Sequence, residues 1–68
     1  MTTANETLKI VSNQSKRTFT IREYIDGKLF AKYRTIPTCK EEFESNEMMT
    51  ERDWKHFLRN TDEYYKVN

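Results

Sequence analysis

Residues 17–36 read RTFTIREYIDGKLFAKYRTI, and this stretch decides the fold. β-Branched and aromatic residues alternate with polar ones from Arg17 to Ile25 and again from Lys28 to Ile36, the period of strands with one buried face. Between the runs stands Asp26-Gly27, with the only glycine of the chain at the point where a hairpin needs a positive φ. Pro37 ends the second run, because it has no N–H to give to a ladder. The pattern predicts a β-hairpin.

The register of that hairpin has two solutions. A two-residue turn at Asp26-Gly27 pairs Tyr24 with Leu29 and Ile21 with Lys32, so each face mixes apolar and charged side chains. A three-residue loop with Gly27 in a bulge pairs Tyr24 with Lys28, Glu23 with Leu29, Ile21 with Ala31 and Phe19 with Tyr33. It gathers Phe19, Ile21, Leu29, Ala31 and Tyr33 on one apolar face. A slip of one residue moves every side chain to the opposite face, so burial favours the bulged register. Tyr24 opposite Leu29 would overturn this face assignment.

The other face then carries Thr18, Thr20, Arg22, Tyr24, Lys28, Phe30, Lys32 and Arg34. Lys and Arg neutralise phosphates and aromatic rings stack on bases, so Arg22, Tyr24, Lys28, Phe30, Lys32 and Arg34 are the candidate nucleic-acid-binding residues. An ordinary solvated antiparallel face with cross-strand aromatic packing has the same composition. The alternative function is a protein-interaction or virion-associated module, homo-oligomeric, acting through this face or through acidic residues further along.

Working outward from the hairpin, Thr7 to Ser12 (TLKIVS) alternates Leu8 and Ile10 with polar neighbours and reads as a first strand. Residues 1–6 read as a flexible tail and Asn13 to Lys16 as a polar turn, which leaves one small domain over 7–68. Beyond Pro37, Thr38-Cys39-Lys40-Glu41 and Thr50-Glu51-Arg52-Asp53 each place a capping hydroxyl three residues before a carboxylate, the mark of a helix start. Trp54, Phe57 and Leu58 form an apolar stripe at helical spacing, with Trp54 the expected core anchor. One continuous helix would carry Glu47 close to that stripe, which favours a break near Met48-Met49. Tyr64 to Val67 reads as a short last strand or a docked tail. The expected fold class is α+β: a three-stranded antiparallel meander followed by one or two short helices on one face.

The totals bound the function. The 68 residues carry twelve Lys or Arg against eleven Asp or Glu, a formal net charge of +1. That excludes a uniformly basic packaging peptide and an acidic disordered tail. The balance conceals an asymmetry. Residues 1–40 hold eight cations and three anions, whereas residues 41–68 hold four cations and eight anions. A basic sheet backed by an acidic helical layer attracts phosphate on one side and repels it on the other.

Chemistry-bearing clusters are scarce. The single Cys39 allows no internal disulfide, and with His56 as the only histidine there is no four-ligand zinc spacing. His56 lies among Arg52, Lys55 and Arg59 on the expected outer side of its helix, so a Cys39–His56 nucleophile pair lacks any local preparation. The run Glu41, Glu42, Glu44 and Glu47 lacks the alternating pattern and glycine of a calcium loop. No Gly-rich phosphate cradle is present. The expectation is a protein that is not an enzyme, with no cofactor and no metal. No apolar run approaches the roughly 20 residues of a membrane span, and the polar start lacks the order of a signal peptide. A cytoplasmic compartment and no membrane partner are therefore expected.

The segments Thr18-Phe19-Thr20-Ile21-Arg22, Asp26-Gly27-Lys28, Lys32-Tyr33-Arg34-Thr35, Lys40-Glu41-Glu42-Phe43-Glu44, Asp53-Trp54, Phe57-Leu58 and Tyr64-Tyr65 together resemble small proteins of unassigned function from gut Bacteroides and their crAss-like phages. The resemblance spans about residues 16–67 and implies a phage or mobile-element product in a bacterial host cell. It brings no catalytic residues with it. In architecture, three strands followed by a helix also resemble the arm-type DNA-binding domains of some integrases, an analogy of fold.

Overall fold

The computed structural model describes residues 5–67, in the order β1 (Glu6–Asn13), β2 (Thr18–Ile25), β3 (Lys28–Thr35), α1 (Lys40–Glu47), α2 (Glu51–Asn60) and β4 (Tyr64–Val67). The strands form one antiparallel sheet in the order β1-β2-β3-β4. The α+β expectation holds, with the C-terminal segment joining as a fourth strand. The first strand starts at Glu6, one residue into the expected tail, and Asn5 donates its N–H to Asp26 Oδ1 at 3.1 Å. The rest of that tail, residues 1–4, lies outside the described residues.

The hairpin register differs from the expected one. Asp26 (φ 52°) and Gly27 (φ 83°) both take left-handed backbone, which makes a two-residue turn of the type whose twist matches its strands. Ile25 therefore pairs with Lys28 and Tyr24 with Leu29. Continued unbroken, that register would mix the faces. Instead it shifts: Glu23 pairs with Ala31, leaving Phe30 as an extra residue, and Arg22–Lys32, Ile21–Tyr33 and Thr20–Arg34 follow. The bulge restores by one residue the parity that the tight turn had reversed. Beyond it, the register differs from the expected one by two residues, an even number, so Phe19, Ile21, Ala31 and Tyr33 still share a face. Tyr24 opposite Leu29, the pairing that overturns the expected register, is present, and the bulge confines the change of face to the tip. Leu29 sits opposite Tyr24 on the outer face, 57% exposed, rather than in the core.

Both helices pack on the inner face. Phe19, Ile21 and Leu8 from the sheet meet Phe43 of α1 and Trp54 of α2, all buried, with Ile10, Tyr33, Met49, Phe57 and Leu58 around them. The Phe19 ring stacks on Phe43 at 4.8 Å between centroids and lies 5.0 Å from the Trp54 ring. Trp54 is the core anchor the helical stripe implied. The helices are separate, with Met48 as the C-cap of α1 and Met49 between them.

Their starts differ. Thr50 caps α2 as a full box: its hydroxyl accepts from Asp53 N–H at 3.2 Å, and Asp53 accepts from Thr50 N–H at 3.0 Å. The second expected box does not form. Cys39, outside the helix, is the N-cap of α1 and makes no side-chain cap bond, while Thr38 turns back to the Arg17 carbonyl. That carbonyl satisfies Thr38 N–H as well, tying the helix entry to the turn before β2.

α2 also closes the free edge of β1. Glu51 accepts from Leu8 N–H at 2.8 Å, and one helical turn later Lys55 donates to the Glu6 carbonyl at 2.8 Å. These two side chains stand where another strand would bond, which blunts an edge otherwise open to pairing.

Candidate nucleic-acid interface

Both helices pack on one side of the sheet, and no described helix covers the other face. Strand alternation and register place on it Thr7, Lys9, Val11 and Asn13 from β1, and Thr18, Thr20, Arg22 and Tyr24 from β2. β3 adds Leu29, Lys32 and Arg34, and β4 adds Tyr65 and Val67. No carboxylate stands among them.

The cations on this face form a pattern. Lys9 pairs directly with Arg22, and Arg22 directly with Lys32, so three positive side chains lie side by side across three adjacent strands. Neighbouring strands are about 4.8 Å apart, well inside the Debye length of about 8 Å at physiological salt. Like charges directly opposite one another are destabilising in a sheet. The next outward row, about 7 Å along, runs Val11, Thr20, Arg34 and Tyr65. Among the described residues the one ion pair joins Arg59 to Glu6 at 3.9 Å, on the helix side, and none of the outer cations pairs with a described carboxylate. Lys9 Nζ instead lies 5.5 Å from the centre of the Tyr24 ring.

The six sequence candidates divide. Arg22, Tyr24, Lys32 and Arg34 stand together on the outer face. Lys28 pairs with Ile25 at the hairpin end, with helix-side parity, and so leaves the array. Phe30 is the extra residue of the bulge and has no cross-strand partner, although it is 65% exposed. The reason is the same in both cases: the tight turn and the bulge re-aim the three residues after Gly27. Lys9 belongs to the array and was missed. The alternation of Leu8 and Ile10 already turned Lys9 outward, but nothing in the sequence sets its position along β2.

At one end of this face lies an open cavity of about 410 Å³. Thr18 is its most buried lining residue, with Thr20 and Arg34 half-buried beside it. Exposed Asn13, Lys16 and Tyr65 complete the polar lining, and Pro37 adds an apolar wall. Asn13 already uses its Oδ1 on Lys16 N–H and the Ser15 hydroxyl in the β1–β2 turn, so its remaining amide N–H groups are free to donate. A larger cleft of about 750 Å³ lies between that turn and α1, but there Arg17 and Lys40 face Glu44 and Glu47. That lining mixes both charges, whereas the described lining of the smaller cavity holds Lys16 and Arg34 and no carboxylate.

The helix side has a different electrostatic character. Tyr33 donates its hydroxyl to Glu23 at 3.3 Å, and Glu6, Lys55, Arg59 and Tyr64 border the same small cavity. Burial pushes the Glu23 carboxyl above the ordinary carboxylate range, and the nearby Glu6 adds to it through a hydrogen bond and its charge. Burial and the Glu23 charge likewise raise Tyr33. Cys39 precedes α1 and His56 lies in α2, both exposed, and no group of three or more His, Cys, Asp or Glu among the described residues is placed to hold a metal ion. No described helix is long and apolar enough to cross a membrane.

No protein-family model, curated protein or solved structure matches this chain.

Proposed function

We propose that this domain is a non-enzymatic nucleic-acid-binding module that docks its outer sheet face on the phosphate backbone. The observation carrying the reading is the row Lys9–Arg22–Lys32, three cations directly opposite one another with Arg34 beside them and no carboxylate among the described residues of the face. Such a row opposes folding unless an external anion neutralises it, and a polyphosphate backbone is the ligand that meets several cations at once. Aromatic Tyr24 and Tyr65 supply stacking surfaces among them. The sequence resemblance to phage-associated proteins supports an origin in a phage or mobile element.

Fluorescence anisotropy with labelled single- and double-stranded DNA and RNA, at roughly 50 and 200 mM salt, tests this reading. Single strands give a slope of log affinity against log salt of about −0.7 per neutralised phosphate, so four engaged cations give roughly −3. The double variant Lys32→Glu/Arg34→Glu, and separately Lys9→Glu, lose binding. Failure of every nucleic acid to bind at low salt, or binding indifferent to these reversals, overturns the proposal.

One observation favours a second reading, a protein-interaction module. Leu29 and Phe30 stand 57% and 65% exposed at the hairpin end, beyond the reach of β4, which pairs only with Lys32–Thr35. Sedimentation over a range of concentrations checks it: self-association abolished by Phe30→Ser would assign the hairpin end to a second copy.

A further inference from the structure

The rows of cations account for phosphate, but they do not explain the cavity at the end of the face. Its chemistry is specific. Thr20 pairs with Arg34 and Arg34 with Tyr65, so a hydroxyl, a guanidinium and a phenol ring stand on three consecutive strands. The buried Thr18 and the Asn13 amide lie on the next row, and Lys16 of the turn completes the lining. Apart from Pro37, every lining side chain offers a donor, and none carries a carboxylate. At about 410 Å³ the space suits a small molecule rather than the edge of a helix.

We infer that this cavity holds one unstacked nucleotide, with its phosphate on Lys16 and Arg34 and its base against the Tyr65 ring, so that the face selects single-stranded nucleic acid over duplex. The inference rests on the nucleic-acid reading of the face. It goes further because a duplex keeps its bases stacked and paired and has none to place in a cavity. A single strand can lay phosphates along Lys9, Arg22 and Lys32 and turn one base into the pocket at the end of that track. Thr18, Thr20 and Asn13 are then placed to bond the edge of the base or the sugar, while Pro37 closes the far side. The ring of Tyr65, 49% exposed, is available for stacking.

The test uses the full chain and short oligonucleotides, DNA and RNA in separate arms, carrying 2-aminopurine at one position. Stacking on Tyr65 quenches that fluorophore on binding. Tyr65→Leu keeps an apolar side chain in β4 and removes the ring; quenching should vanish and affinity fall roughly tenfold. Lys16→Gln and Arg34→Gln should each lower the salt slope by about 0.7. Unlabelled duplex should compete at least tenfold less well than the single strand. Emission from the buried Trp54 reports in each variant that the core is intact. Quenching that persists in Tyr65→Leu, or duplex competing equally, overturns the pocket assignment while binding lost in Lys9→Glu leaves the face reading standing. Absence of any nucleic-acid binding by the native chain overturns both.

Discussion

Glu23 shows how a single side chain can carry the tension of a small fold. Its strand parity sends it to the helix side, where burial and the neighbouring Glu6 carboxylate hold its pKa above the ordinary carboxylate range. A group whose folded value is raised contributes stability that is fully present below the unfolded value and is lost as pH rises through the folded one. Glu23→Gln keeps an acceptor for the Tyr33 hydroxyl and removes the charge. It should therefore stabilise the domain at pH 7 by about 0.5 kcal/mol, or roughly 2–4 °C in Tm. The gain should shrink toward pH 4, where the native carboxyl is itself protonated. Thermal melts of both proteins across that range check the sign; a gain that grows on acidification would refute it. The sequence marked Glu23 only as a polar residue in a strand. Its partner Glu6 is remote along the chain and reaches it through the β1–β2 pairing.

Among the elements, the two helices are a matched comparison. Both have a hydroxyl residue three positions before a carboxylate, yet only Thr50 forms the box, while Thr38 is held by the Arg17 carbonyl. Thr50→Ala should cost about 1 kcal/mol, and Thr38→Ala less than about 0.5 kcal/mol, measured by urea unfolding. Asp53 adds a pH signature. The Thr50 backbone N–H, and then its hydroxyl, hold the Asp53 carboxyl below its ordinary value. A depressed carboxyl contributes stability above the unfolded pKa that is lost as pH falls through the folded one. The acid limb of stability should accordingly flatten in Asp53→Asn. A local motif names the residues able to cap, but whether they do depends on what else reaches them. The hairpin teaches the same lesson. Asp26-Gly27 marked the turn, and alternation marked both strands, but the bulge at Phe30 followed from the need to bury Ala31 beneath the helices rather than from anything within the hairpin.

For the whole molecule, the near-zero net charge is the sum of two opposed surfaces. The sheet's outer face is cationic and the exposed side of α1 carries Glu41, Glu42, Glu44 and Glu47. If the outer face alone contacts nucleic acid, the acidic helix acts only at long range. Counterion release counts phosphates contacted, whereas net charge alters affinity through a screened field. The variant Glu41→Gln/Glu44→Gln should thus raise affinity less than about threefold at 0.15 M salt. It should leave the salt slope unchanged, where Lys9→Gln lowers that slope by about 0.7. Salt-titrated anisotropy separates the two, and a slope altered by the helix variant would place the contact on the wrong side.

Local chemistry in the sequence determined a great deal: the first three strands, the hairpin, the two helix starts, the Thr50 cap and Trp54 as core anchor, while it favoured a break near Met48-Met49 and left Tyr64 to Val67 open. Each rests on spacing within a few residues, where periodicity and backbone preference act directly. Parity within each strand also put Arg22 with Tyr24 and Lys32 with Arg34, but that the two pairs share one face depended on the register across the hairpin, which the bulge restored. Only the tertiary structure decided that Lys9 joins that row, that Lys28 and Phe30 leave it, and that Lys16, Thr18 and Tyr65 enclose one cavity with Arg34. Those facts are relations between strands distant in sequence. Their register was set by the helices, which reward whichever alignment buries Phe19, Ile21 and Ala31 at once.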